Sequence, residues 1–449
     1  MGRAFILLLL LSVWPSSEGN AQASAAAGRS CDRCSYPEGW YLETEIGAGY
    51  VSDGAVRFGD YTGLDDAGGI VIGAVAADFR GESGVHWRFE GRDLGLDSRS
   101  VEIAGGRQGR YDWRLSFDRL PHDRYESATT PFVNPASSSL QLPADWVPGV
   151  TTGALSVLDA SLRPIQIGTD RETLGLGFSV VTTPRLAFDV DYRHATKDGT
   201  GVYGGSFLNT ATLLPRPVDD QTQTLDAGMT YRADDWSVRL GYFGSLFHND
   251  VPALRWQNPF SPVVPGTTEG QAALEPDNSF HQLTMSGRYR PVGHTQLTGS
   301  LAVGRMEQDE DLLPFTINPA LLSTLPVPSL DAEVATLHAA LRIASRPMRK
   351  LRLRGAWRYD ERDNKTPSLD WAGVIGDALP ALSRRNLPYD YERYTIDLEA
   401  DYRMPFGIRA YAGWQRGVTE RTFNEVNRSG EDELWGRLKF RLGNRADLN

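Results

Sequence analysis

Three observations predict an all-β fold, a transmembrane antiparallel up-and-down β-barrel of about 16 strands. Segment after segment alternates apolar and polar residues with a period of two, and the polar member is often charged. After the N-terminal leader no apolar run of about 18 residues occurs, so no membrane helix is expected. The connections between segments alternate between short and long. A bilayer is otherwise crossed only by a closed sheet, because every backbone N–H and C=O must be paired there.

The elements follow in chain order. Arg3 is a short positive region, residues 4–13 are an apolar core, and Ala21-Gln22-Ala23 reads as a cleavage site. Residues 1–23 are therefore a signal peptide, and export combined with β alternation implies a bacterial outer membrane. Residues 24–40 form a periplasmic segment containing Cys31 and Cys34. Ser35 stands where a haem attachment motif needs His, so no covalent haem is expected there. Two thiolates are too few for a closed zinc site. A local disulfide, a redox or partner-linking role, and a metal shared with a partner all fit the pair.

The barrel spans residues 41–449. Its strands are expected at 41–51, 70–80, 84–93, 98–106, 109–119, 171–182, 185–197, 221–232, 235–248, 279–290, 294–308, 332–345, 349–362, 391–403, 406–420 and 433–443. In Leu186-Ala187-Phe188-Asp189-Val190-Asp191-Tyr192-Arg193, Leu186, Phe188, Val190 and Tyr192 share one face and the charged residues the other. Residues 351–360 and 394–403 repeat the pattern. The short connections are 182–184, 233–234, 291–293, 346–348 and 404–405. The long ones are 120–170, 198–220, 249–278, 309–331 and 363–390, rich in turn formers and read as irregular loops. Outer-membrane barrels have short periplasmic turns and long external loops.

The lipid face includes Trp87, Phe89, Trp113, Leu115, Leu174, Leu176, Phe178, Trp236, Val238, Leu240, Leu337, Leu341, Leu438 and Phe440. Tyr111, Tyr192, Tyr231, Trp236, Tyr289, Tyr359 and Tyr402 suit interfacial girdles. The lumen face carries both signs: Arg88, Glu90, Asp112, Arg114, Asp189, Asp191, Arg193, Arg239, Arg342, Arg352, Arg354, Arg358, Asp397, Glu399, Asp401, Arg437, Lys439 and Arg441. Such a wall either solvates a channel or grips a polar guest. The net charge of -11 argues against nucleic acid as a partner. No catalytic grouping is visible, and the seven histidines are scattered, so no enzyme is expected. Leu434–Leu442 is followed by Gly443-Asn444-Arg445-Ala446-Asp447-Leu448-Asn449, which reads as a turn and the start of another strand. The expectation is that 433–443 is not the closing strand and that the chain is part of a larger barrel.

Several stretches resemble the MtrB/PioB family of decahaem-associated outer-membrane proteins. They are Cys31-Asp32-Arg33-Cys34 with Gly39-Trp40-Tyr41-Leu42-Glu43, and Gly49-Tyr50-Val51-Ser52-Asp53 leading to Phe58-Gly59-Asp60-Tyr61-Thr62-Gly63-Leu64. Leu387-Pro388-Tyr389-Asp390-Tyr391-Glu392-Arg393, Glu420-Arg421-Thr422-Phe423-Asn424-Glu425-Val426 and Leu434-Trp435-Gly436 continue the likeness. The resemblance implies a barrel that sheathes a periplasmic decahaem c-type cytochrome and forms an electron conduit across the outer membrane. An external multihaem cytochrome docks outside in metal-reducing members, and electron flow runs inward in iron-oxidising ones. The haem c belongs to the partner, and this chain binds no cofactor. The alternatives are a general porin or solute channel, and a structural or adhesive barrel acting through its external loops.

Overall fold

The computed structural model describes residues 38–442 and 446–448, except 126, 208, 209 and 322. The leader and the Cys31–Cys34 pair lie outside the described residues. Sixteen long strands are present: β1 (Gly39–Val51), β2 (Gly68–Arg80), β3 (Val85–Leu94), β4 (Ser100–Arg107), β5 (Tyr111–Tyr125), β6 (Ile167–Thr183), β7 (Leu186–Ser206), β8 (Ala211–Arg232), β9 (Trp236–Asn249), β10 (Asn278–Val292), β11 (Thr295–Gln308), β12 (Ala332–Met348), β13 (Leu351–Asn364), β14 (Tyr391–Arg403), β15 (Arg409–Arg421) and β16 (Arg428–Leu442). They belong to one sheet, which also takes in a short strand, Ala446–Leu448. That strand pairs antiparallel with Phe440–Leu442, as expected of the start of another strand. No described helix is long and apolar enough to cross a membrane.

The chain divides into two compact units. The first holds β1–β5, most of β6 and β7, the start of β8, and residues 254–261. In it each of β1–β5 pairs antiparallel with the next, and β5 pairs with β6. The second holds β9–β16, and these form an unbroken antiparallel meander.

Directly opposed residues in a sheet share a face. Across β9–β16 the opposed row Trp236, Tyr289, Leu297, Ile343, Gly355, Leu398, Trp414, Leu434 carries no charge. One residue on, the row reads Ser237, Arg288, Thr298, Arg342, Ala356, Asp397, Gln415, Glu433. A shift of one position thus exchanges an uncharged, largely apolar row for one that is charged in four of the eight strands and polar in three more. The row begins at the first residue of β9 and ends within β16, so the strands are staggered, as tilted membrane strands are. On the apolar face the side chains stay open: Trp236 is 44% exposed, Leu283 65% and Leu434 84%. So large a bare apolar face needs lipid against it. Leu351 to Tyr359 and Tyr394 to Tyr402 each cover about nine residues, close to the length of a membrane-crossing strand. Tyrosines mark the ends of that band, and Tyr231 packs on Trp236 with ring centroids 5.1 Å apart.

Two expectations are corrected. The connection placed at 198–220 is only four residues long, because β7 and β8 run on past it. Gly199, Gly204, Pro215 and Pro217 mask this extension in the sequence, since both residue types weaken a strand reading. The burial of Leu214 (0% exposed) and Val218 supports it. Nor are the long loops irregular throughout. In the first unit Phe132, Leu140, Phe207, Leu214, Leu254, Trp256 and Phe260 are all buried. Phe207 meets Trp256 edge-on at 6.4 Å and Phe260 at 5.7 Å. Trp146 Nε1 donates to Pro259 O at 2.9 Å, and Leu142 N donates to Gln257 Oε1 at 2.7 Å. Each such side chain gains about 1.5–3 kcal/mol on burial, so the loops form a small core of their own. In the second unit, residues 370–375 and 379–385 make a hairpin within the 363–390 connection. Asn318, 2% exposed, donates from Nδ2 to Asp377 O at 2.8 Å and to Pro265 O at 3.2 Å, tying three connections together.

Candidate functional site

The ionic face is the candidate site. Its simplest unit is an opposed pair. Arg88 stands opposite Asp78 and donates to it at 2.9 Å. Arg354 stands opposite Glu399 and donates at 3.2 Å. Arg352 stands opposite Asp401. Glu90 is bonded by Arg92, two residues along the same face. Asp112 pairs with His86 at 3.1 Å.

A second unit reaches across a whole strand. Arg114 on β5 contacts Asp191 on β7 at 2.9 Å, with Gly177 of β6 beneath the contact. Arg239 on β9 contacts Asp189 on β7 through two hydrogen bonds of 2.5 and 2.6 Å, over Gly228 of β8. A Cβ on residue 228 would lie 2.3 Å from the Arg239 guanidinium, and one on residue 177 would lie 2.9 Å from Asp191 Oδ1. Glycine at both positions leaves room for the guanidinium to pass over the backbone and span two strand spacings. Arg239 also approaches Asp226 at 3.6 Å.

The remaining expected residues take other places on this face. Asp397 is opposed by Ala356 and Gln415, and Arg358 by Ala340 and Thr395. Arg437 lies over the Tyr411 ring at 4.6 Å, and Lys439 is opposed by Arg409. Arg193 is exposed on β7. Most pairs are roughly half exposed, so each adds at most about 1 kcal/mol of stability; the more shielded, doubly bonded Arg239–Asp189 pair adds about 1–2 kcal/mol. Their larger effect is to fix the charge pattern of the wall.

The structure adds residues that the sequence reading missed: Gly177, Gly228, Asp78, Asp226 and Arg288. Arg288 carries the same period-two signal as its neighbours Ser286 and Arg290. The glycines carry none, because their role depends on register between strands. Several histidines pair with separate carboxylates: His86 with Asp112, His122 with Asp60 at 2.7 Å and His338 with Asp360 at 2.5 Å. Among the described residues no group of three or more His, Cys, Asp or Glu is placed to hold a metal ion. The Phe58–Leu64 stretch forms a short helical turn after β1 that docks on β5, with Tyr61 stacked on His122 at 4.8 Å and Asp123 N donating to Asp60 O at 3.1 Å.

Comparison with known proteins bears on the whole chain. Residues 50–449 match the MtrB/PioB family of outer-membrane β-barrel porins. The outer membrane protein MtrB of Shewanella baltica is 29% identical over 425 residues, which cover 94% of this chain and 60% of that protein. The chain therefore spans about three fifths of the length of this relative. Among solved structures, OmpT of Vibrio cholerae is 11% identical with a TM-score of 0.30, covering 90% of this chain and 97% of that one. The siderophore receptor PiuA of Acinetobacter baumannii is 10% identical with a TM-score of 0.39, covering 90% and 60%. The ionic and apolar faces, the turn pattern and the match over residues 50–449 agree: the chain belongs to the MtrB/PioB family of outer-membrane β-barrel porins.

Proposed function

We propose that this chain is the scaffold of a trans-outer-membrane electron conduit, sheathing a periplasmic multihaem c-type cytochrome. The observation that carries the reading is the ionic face. It holds paired guanidinium and carboxylate groups from β2 to β14, a surface suited to a polar folded guest. The family resemblance supplies the identity of that guest, a decahaem cytochrome whose haems carry the electrons. The chain's own contribution is position, insulation and exclusion of lipid. An external multihaem cytochrome is the expected second partner, and the lipid of the outer membrane the third. The chain performs no catalysis in this reading.

A general porin is the second reading, and membership of a family described as porins favours it. Conductance separates the two. The tagged chain is co-expressed with a periplasmic multihaem cytochrome, purified, and inserted into a planar bilayer with and without it. A sheath co-purifies with a haem absorbance band and stays closed to ions until the guest is removed. A porin purifies colourless from the same cells and conducts at once, which would sink the sheath reading.

A further inference from the structure

Some arginines of the ionic face find a carboxylate, as Arg239 and Arg354 do. A neighbouring group of three in the second unit does not. Arg288 is opposed by Ser237 and Thr298, Arg342 by Thr298 and Ala356, and Arg358 by Ala340 and Thr395. All three are exposed on this face, and none forms an ion pair among the described residues. The small opposing side chains leave open space beside them. Two adjoining concavities of about 570 and 480 Å³ share Thr298, Arg342 and Arg358 as lining, and the second also takes in Arg288. Glu399, held by Arg354, and Asp397 also line the first, so the three arginines outnumber the carboxylate left to them.

We propose that Arg288, Arg342 and Arg358 form a carboxylate-binding patch that seats an acidic area of the guest protein's surface. This rests on the sheath reading. Unpaired guanidinium groups cost little while water fills the space before them. Once a guest displaces that water, each uncompensated charge becomes expensive unless an anion meets it. A wall that receives a protein and keeps three unpaired cations together therefore requires carboxylates on the guest at that place. The spacing points to a surface and not to one small ion. Arg288 and Arg342 lie two strands apart, roughly 10 Å, and Arg358 lies two residues off their row, roughly 7 Å. Planar guanidinium groups suit carboxylates by bidentate contact, which a lysine does not reproduce.

The test uses the full chain, affinity-tagged and co-expressed with the multihaem cytochrome, with haem absorbance per chain as the readout. In the triple variant R288Q/R342Q/R358Q the haem retained falls by about tenfold or more, the scale of losing buried charged partners. The triple lysine variant retains an intermediate amount. Replacing three turn arginines, Arg110, Arg185 and Arg349, by glutamine leaves retention unchanged. Folding is followed by the mobility shift of the unheated chain on a denaturing gel. Should the glutamine triple not fold, the wild-type complex decides: added sodium chloride releases the cytochrome where neutral detergent does not, and salt-insensitive retention overturns the patch. A folded glutamine triple that keeps wild-type haem overturns the patch and leaves the sheath standing. A wild-type chain that recovers no haem overturns the sheath, and the patch with it.

Discussion

Gly228→Ala is expected to destabilise the chain, against the ordinary trend. In a strand, replacing glycine by alanine usually stabilises by roughly 0.5–1 kcal/mol, because the unfolded chain loses freedom. Here the new Cβ would stand 2.3 Å from the Arg239 guanidinium. Arg239 would have to lift off β8, breaking the two hydrogen bonds of 2.5 and 2.6 Å to Asp189. A charge-assisted pair is worth about 1.5–3 kcal/mol when shielded. The side chains are 38% and 29% exposed, so solvent screening reduces this to about 1–2 kcal/mol. Set against the entropic gain, the net loss is about 0.5–1 kcal/mol. Gly417 is the control, since a Cβ there meets only Thr395 Cγ2 at 3.8 Å; Gly417→Ala should be neutral or stabilising. Urea unfolding in lipid vesicles, followed by tryptophan fluorescence, measures both. In an Arg239→Ala background the penalty at 228 should vanish. A stabilised Gly228→Ala, or a penalty that persists without Arg239, would refute the role given to glycine.

Three further outcomes follow from the faces and the loops. Leu353→Arg puts a charge on the apolar face and should cost about 2–4 kcal/mol near the midplane, while Arg354→Leu loses only its half-exposed contact with Glu399 and should cost about 1 kcal/mol or less; equal costs in vesicle unfolding would remove the register. Asn318→Ala strands two backbone carbonyls and should open residues 309–331 to protease and to hydrogen exchange, with little change in strand unfolding, at a local cost of about 1–3 kcal/mol; unchanged exchange there would contradict the tie. His248, at the loop end of β9 beyond the membrane band, is bonded to Asp277 and lies 3.2 Å from Asp250. The hydrogen bond to Asp277 holds its pKa above the ordinary His value. Its stabilisation is therefore complete below the unfolded pKa and is lost as pH rises through the folded one. Protection of residues 274–278 against exchange, taken relative to the intrinsic amide rate at each pH, should be greater at about pH 5 than at about pH 9, and His248→Gln should abolish the difference in protection.

The faces were legible in the sequence because period-two alternation reports directly on which side a residue points. Trp236 and Tyr289 fall in one row and Arg342 and Asp397 in the row beside it, on opposite faces of the sheet, as the alternation in single strands predicts. Two features escaped because they depend on what lies across the sheet. Gly177 and Gly228 look like ordinary strand glycines until register places an arginine above them. The extension of β7 and β8 escaped because its glycines and prolines read as a loop, whereas the burial of Leu214 and Val218 repays their poor strand preference. The loop core escaped for a similar reason: Leu140 and Trp256 are far apart in the chain, and no local pattern announces that they meet.

The proposed conduit, in which the chain encloses a guest whose haems carry electrons across the membrane, is tested most directly by electron transfer into a sealed vesicle. Vesicles are sealed around an oxidised dye that cannot cross lipid, and a membrane-impermeant reductant is added outside. Dye reduction is expected only when the chain and its cytochrome are inserted together, with neither component sufficient and no leakage of a small charged marker. Leakage of the marker through the chain alone, with no electron transfer by the pair, would contradict it.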